Sequence, residues 1–245
     1  MDRPQKTPAA FKQALERRLK NRSAETGTDF PRLRQLLVFE RFLARVFEVF
    51  GERAIVKGGV VLELRLAAAR ATRDLDLHLS GSPQRTLAKL QQAGRLELGD
   101  QLVFEVIEDP EHPELRPEGV RYEGRRYRVE ARLAGKVYGA RFGVDVAFAE
   151  PVFGQPEELA GRAFGVLGFA GVRSSSFRVY PLELHLAEKL HTLPRPRPNS
   201  RVKDLPDIAL LAGIRALDAL ELRRPLEWTS YPIGSLVMNR PRLGE

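Results

Sequence analysis

From Arg73 to Ser80 the chain reads Arg-Asp-Leu-Asp-Leu-His-Leu-Ser, in which polar and apolar side chains alternate from Asp74 onward. In a strand, alternate residues share a face, so Leu75, Leu77 and Leu79 line one side and Asp74, Asp76 and His78 the other. The two carboxylates then lie about 6–7 Å apart along one face. Like charges that close, backed by a leucine face, repel and resist desolvation unless a cation neutralises them. Hard oxygen donors of this kind suit Mg²⁺, which takes one or two carboxylates and completes its shell with substrate phosphates. A half-exposed strand with two solvated aspartates carries the same pattern, so this segment alone leaves both readings open.

The residues just upstream bear on the choice. Ala54 to Val56 reads as a short apolar strand, Gly58-Gly59 as a turn, and Val60 to Ala69 as a helix. Glycines allow positive φ and bring bare backbone N–H groups forward. A helix N-terminus beside them attracts anions through its dipole and unpaired donors. Plain turn punctuation is the competing reading. The spaced glycines of a dinucleotide fingerprint and the Gly-Lys-Ser/Thr of a P-loop are both missing, which argues against those two nucleotide folds. In this order and at this spacing, the two halves describe a site for a metal-bound nucleoside triphosphate.

The 245 residues can bury one large core or two small ones. Hydrophobic residues at 43% and charged residues at 29% fit an ordinary globular protein. No apolar run approaches the ~20 residues of a membrane span, and the first residues lack the apolar region of a secretory signal. The absence of cysteine excludes disulfides and thiolate zinc sites and fits a cytoplasmic location. The four histidines form no metal-ligand spacing. A net charge of +8 suits a polyanionic partner such as RNA, although an arginine-rich genome produces the same balance.

Helices are expected at Ala10–Asn21 and Pro31–Phe50, the second with an apolar stripe from Leu33 to Phe50 at three- and four-residue steps. A further helix runs from about Gln84 to Ala93. Leu102–Ile107, Val120–Val129 and Ala134–Tyr138 read as successive strands, with a hairpin at Glu123-Gly124. In Phe142–Glu150 bulky apolar residues alternate with Gly143, Asp145, Ala147 and Ala149, leaving room for a ligand beside the lone Asp145 or for a structural hydrogen bond. After a short strand at Phe177–Val179, a helix from Pro181 to Leu193 buries Leu182, Leu186, Leu190 and Leu193. Its Lys189 is a solvated helix lysine unless a partner engages it. A stiff PRPRP loop follows, then a helix capped by Ser200 in which Asp204 and Asp207 share one side.

These segments in series, KGG, RDLDLHL, GVDVAF, VYPLELHLAEKLHTL and NSRVKDLPDIALL, resemble the AbiEii/AbiGii-type nucleotidyltransferase toxins of the DNA polymerase beta-like superfamily. The resemblance covers roughly residues 39 to 213. It implies an α/β (α+β) nucleotidyltransferase fold, with a mixed, mainly antiparallel sheet flanked by helices and a C-terminal helical part. The division expected is an N-terminal helix-and-sheet domain over 1–175 and a helical part over 176–245, or one continuous domain.

For the site, the resemblance implies that Asp74, Asp76 and Asp145 hold Mg²⁺ or Mn²⁺. Gly58 and Gly59, with Lys57 beside them, would approach the triphosphate. Lys189 would contact phosphates, and Asp204 would supply the final acidic motif, supported by Arg201 and Asp207. The implied reaction moves an NMP from an NTP to an acceptor, by family analogy tRNA, as the toxin partnered by an antitoxin. Transfer to a protein or small-molecule hydroxyl, or RNA or partner binding with weak catalysis, are the alternatives. Two departures stand out: Val60 occupies a position where relatives usually carry Ser or Thr, and residues 227–245 show no helical periodicity.

Overall fold

A computed structural model describes residues 7–66, 69–115, 123–148, 152–162, 165–193 and 204–230, with backbone alone at 192 and 228–230. The chain opens with helices α1 (Pro8–Thr26) and α2 (Phe30–Phe50). Thr7 Oγ1 accepts the Ala10 N–H at 3.3 Å, and Gly27 closes α1 at φ 67, so the helix runs further at both ends than its periodicity predicts. The predicted stripe of α2 is buried except for the half-buried Phe47, with Phe39 and Phe42 packed edge-on against Phe142. Two arginines within the same helix are buried as well. Arg45 binds Asp100 with both guanidinium ends, at 2.6 and 2.8 Å, and Arg41 adds a third contact at 2.5 Å. Burial pushes the Asp100 carboxyl up, but the hydrogen bonds and charges of the two arginines outweigh it and hold the group below its ordinary pKa.

The sheet follows. Strands β1 (Ala54–Lys57), β2 (Leu75–Leu79), β3 (Leu102–Glu108), β4 (Glu114–Leu115), β5 (Gly124–Leu133), β6 (Lys136–Val137), β7 (Phe142–Phe148), β8 (Glu157–Ala160) and β9 (Ser176–Val179) form one sheet. Its order is β3-β5-β7-β2-β1-β9-β8, with β4 and β6 paired along β5. The β2–β7 and β1–β9 pairs are parallel and the others antiparallel, so the mixed, mainly antiparallel sheet is borne out. Helices α3 (Gly58–Arg65) and α4 (Thr86–Arg95) fall between β1 and β3. Leu75, Leu77 and Leu79 join Phe104, Val144, Val146 and the stripes of α1, α2 and α4 in a single core. Each such side chain contributes about 1.5–3 kcal/mol on full burial, which holds β2 in its alternation.

Three expectations need correction. The helix after Gly58-Gly59 stops at Arg65, not Ala69, although its alanines favour helix. Tertiary bonds win there: the Arg32 guanidinium takes the Ala69 carbonyl, and Glu63 takes the Thr72 N–H at 2.6 Å. The strand expected from Ala134 begins only at Lys136, because Ala134 (φ 54) and Gly135 (φ 72) form the two-residue turn joining β5 to β6. Gly124 is no hairpin tip; it is the first residue of β5 and lies opposite Leu115 of β4.

The described residues fall into two compact units. The sheet unit contains every strand, together with α1–α4, and runs as far as Val179. The second unit holds α5 (Leu182–Thr192), α6 (Asp204–Ala212) and α7 (Ala219–Ser230). Helix α7, which hydrophobic periodicity does not reveal, begins at a cap: Asp218 Oδ1 accepts the N–H groups of Leu220 at 2.8 Å and Glu221 at 3.1 Å. In α5, Leu182 and Leu186 are buried as expected while Leu190 and the following Leu193 are only half-buried, and Glu183, His185 and Lys189 are buried instead. Ser200 and residues 231–245 lie outside the described residues. Among those described, no helix is long and apolar enough to cross a membrane.

Candidate active site

Strand β2 carries its carboxylates between two neighbours of opposite sense. Lys57 of β1 lies opposite Asp76 in the antiparallel pair, and Asp145 of β7 lies opposite Asp76 in the parallel one. Register partners project to the same face, so Asp76 and Asp145 are side by side on strands about 4.8 Å apart. Asp74 sits just before the strand, and its Oδ1 accepts the Gly143 N–H at 3.0 Å. A Cβ on Gly143 would stand 2.7 Å from that oxygen. The space expected beside Asp145 for a ligand is therefore filled, at Gly143, by Asp74.

The glycine turn packs against the same segment. Gly58 opens α3 at φ 68, and a Cβ there would stand only 1.9 Å from Asp76 Oδ2. A Cβ on Gly59 would stand 2.7 Å from Thr72 Oγ1. The first turn of α3 thus lies directly on the carboxylates, and side chains at these positions have no room. That turn contains no acidic residue and receives no side-chain cap from Lys57, so its positive dipole end is left to an anion. Val60 is fully buried in the core.

Two further groups organise this face, and the linear sequence marks neither. Arg126 of β5, opposite Asp145, grips both its oxygens at 2.6 Å. Those hydrogen bonds raise the guanidinium pKa against the opposing effect of burial, and the charges of Asp145 and Asp74 add to them. The cation required by crowded carboxylates is, at Asp145, this arginine. Glu63 of α3 ties the approach to β2: its carboxylate accepts the Thr72 N–H at 2.6 Å and the Arg32 Nε–H at 3.2 Å. Burial raises the pKa of Glu63, with Thr72 and Arg32 pulling the other way. Thr72 Oγ1 in turn donates to the Asp74 carbonyl at 3.2 Å. Arg126 sits in a stretch that reads as an ordinary solvated strand; only the β5–β7 register shows its partner.

In the helical unit, Lys189 is buried and donates to Asp204 Oδ1 at 3.2 Å and to Asp207 Oδ2 at 2.7 Å. The two motifs EKLHTL and RVKDLPD therefore meet, and Asp204 and Asp207 do share one side of α6. Lys189 is not a solvated helix lysine. Arg201 lies outside the described residues.

The model of the family described as "Nucleotidyl transferase AbiEii toxin, Type IV TA system" matches residues 41–227, most of the chain. The chain belongs to the AbiEii family of nucleotidyltransferase toxins. No curated protein matches it in sequence. Among solved structures it is similar to MenT4, a nucleotidyltransferase toxin from Mycobacterium tuberculosis H37Rv. That likeness has a TM-score of 0.61 and 19% identity, covering 91% of this chain and 69% of that one. It is also similar to JHP933 from Helicobacter pylori, with a TM-score of 0.47 and 15% identity over 73% of this chain and 66% of that one. The likeness to MenT4 shows a shared nucleotidyltransferase fold for this AbiEii member.

The donors of the AbiEii chain can be weighed against the divalent ion that such chemistry uses. Asp74 and Asp76 offer hard oxygen donors beside a helix N-terminus, a set that would fit a divalent ion completed by phosphate and water. Asp145 stands next to them, but Arg126 holds both its oxygens. Among the described residues no three His, Asp or Glu side chains form a preassembled metal cluster. Two carboxylates plus a substrate fit; a rigid all-protein cage does not.

Proposed function

We propose that this AbiEii-family chain is a divalent-metal-dependent nucleotidyltransferase that moves an NMP from an NTP to an RNA acceptor, tRNA by family analogy. In this reading it acts in the cytoplasm as a toxin restrained by a cognate antitoxin. The observation that carries the reading is the contact of Gly58 with Asp76: the positive end of α3 and the carboxylate pair are pressed together, so phosphate and metal have adjacent seats.

The acceptor hydroxyl oxygen forms a bond to the α-phosphorus, the bond from that phosphorus to the β-bridging oxygen breaks, and pyrophosphate departs with the electron pair. The hydroxyl proton passes to solvent. Mg²⁺ or Mn²⁺, when bound, would supply charge neutralisation for the transferring phosphates. Asp74 and Asp76 would hold that ion, and Asp145 stands beside them, oriented by Arg126. The Gly58 and Gly59 backbone N–H groups receive the phosphates, with Lys57 adjoining. For Lys189, Asp204, Asp207 and Arg201 the support is the motif match and, for the first three, the buried ion cluster they form. Glu63 and Thr72 fix the segment that delivers Asp74.

The test is incubation with labelled NTPs, Mg²⁺ and total tRNA. The expected result is label on tRNA, abolished by EDTA and by Asp76→Ala. Label on protein instead would move the acceptor assignment. A second reading, RNA binding with weak transfer, is favoured by two observations: Val60 offers no hydroxyl at the helix start, and Arg126 already neutralises Asp145. Salt-sensitive RNA binding with no transfer by any NTP would establish that reading and refute the first.

A further inference from the structure

At the far end of β2 from Asp74, a cavity of about 300 Å³ is lined by Arg53, Arg85, Lys89, Ser80, Ser82 and Phe50, among others. No aspartate or glutamate lines it, and none of its three cations forms an ion pair among the described residues. Arg45, Arg126 and Arg128 of the same sheet unit, by contrast, each face a carboxylate.

The arrangement also opposes the backbone field. Arg85 is the N-cap of α4, and the first turn of that helix has no acidic residue. Positive charge is thus added where the helix dipole is already positive. Arg85 and Lys89 lie four residues apart, a like-charge spacing that destabilises a helix. Arg85 moreover holds φ 73, a conformation that glycine adopts at lower cost. Lys89 Nζ rests 5.7 Å from the Phe50 ring centre, which keeps the ammonium at the cavity wall. The charge repulsion and the unfavourable dipole contact both fall when an anion enters. The serine hydroxyls add donors suited to phosphate oxygens.

The cavity is distinct from the carboxylate face. Leu79 and Phe148, which also line it, pair three rungs along from Asp76 and Asp145, about 10 Å away at strand spacing. We propose that this cavity is a second anion site that grips the phosphodiester backbone of the acceptor RNA, one strand length from the reacting end. The inference rests on the reading of RNA as acceptor, and it assigns Arg53, Arg85 and Lys89 to RNA binding rather than to transfer chemistry. A strand of RNA is favoured over a free nucleotide because the chain as a whole carries +8, so attraction extends beyond one pocket.

The test measures binding alone, by anisotropy of a fluorescent single-stranded RNA 20-mer with a blocked 3′ end, in EDTA without NTP. The variant Arg53→Gln/Arg85→Gln/Lys89→Gln is expected to bind more weakly at every salt concentration. Its slope of log affinity against log salt should be shallower by roughly 2, as for three lost phosphate contacts on a single strand. Arg85→Gly keeps the test clear of folding failure: it should weaken binding without lowering the melting temperature, because glycine suits φ 73. Equal affinity and slope in the triple variant would overturn the proposal, even if tRNA labelling succeeds. Protection of the cavity by pyrophosphate but not by RNA would overturn the choice of RNA. If labelling fails while the triple variant loses RNA binding, the anion site stands and the transfer reading falls.

Discussion

Replacing Gly58 with alanine tests the central contact from both sides. At φ 68 a residue with a Cβ costs about 1–2 kcal/mol relative to glycine. The new Cβ also lands 1.9 Å from Asp76 Oδ2 and 2.6 Å from its Cγ, so the carboxylate must retreat by more than an ångström. Overpacking of that kind costs about 1–3 kcal/mol. Together the loss is about 2–5 kcal/mol, read by urea unfolding. A displacement of one ångström at a reacting centre also lowers turnover by about 10²-fold, read by label transfer. The two contributions separate in a double-mutant cycle with Asp76→Ala. Without the carboxylate the overpacking is relieved and only the φ cost remains, giving a coupling of about 1–3 kcal/mol. If Gly58→Ala were equally destabilising in both backgrounds, the clash would not be with Asp76. If it were as stable as the parent, the close packing itself would be refuted.

Other outcomes follow from the buried charges. Asp100→Ala leaves two buried arginines without their shared carboxylate and should cost about 3–5 kcal/mol in urea unfolding, with no specific effect on nucleotide affinity in the protein that remains folded. Lys189→Met removes the ammonium shared by Asp204 and Asp207, so it should lower thermal stability as well as transfer; loss of transfer at unchanged stability would show that the cluster has no structural part. Glu183 is held at about 2, chiefly by the hydrogen bonds of Arg215 and against burial. A depressed carboxyl stabilises the fold above its unfolded pKa and loses that contribution as pH falls through the folded one. Acid unfolding followed by circular dichroism should therefore show a component between about pH 4.5 and 2 that Glu183→Gln removes.

Much of the fold could be read along the chain because local pattern and tertiary demand agree. The leucines of β2 and the stripe of α2 are placed by a single periodicity, and the core simply accepts them. Where the two disagree, the sequence misleads. The alanines after Arg65 favour helix, yet Arg32 and Glu63 pull the backbone away. Asp74 and Asp76 were visible through alternation, but the role of Arg126 depends on which strand lies beside β7, a fact no local pattern encodes. Arg41 and Arg45 were hidden for a related reason. Two cations in an amphipathic helix look solvated until a distant Asp100 arrives to bury them. Helix α7 left a signal of a different kind, the Asp218-to-Glu221 cap, which periodicity ignores.

The parallel register between β2 and β7 also governs when, during synthesis, the carboxylate face can form. Asp74 meets Gly143 across 69 residues of sequence, and no local hairpin can bring Asp76 beside Asp145. Pairing over that separation is slow and must await most of the chain. During synthesis, a nascent polypeptide that has exposed only the glycine turn and the first two aspartates has no assembled carboxylate face. The carboxylate face proposed to hold the metal is therefore completed only after β7 has left the ribosome, late in synthesis rather than as soon as the two aspartates appear.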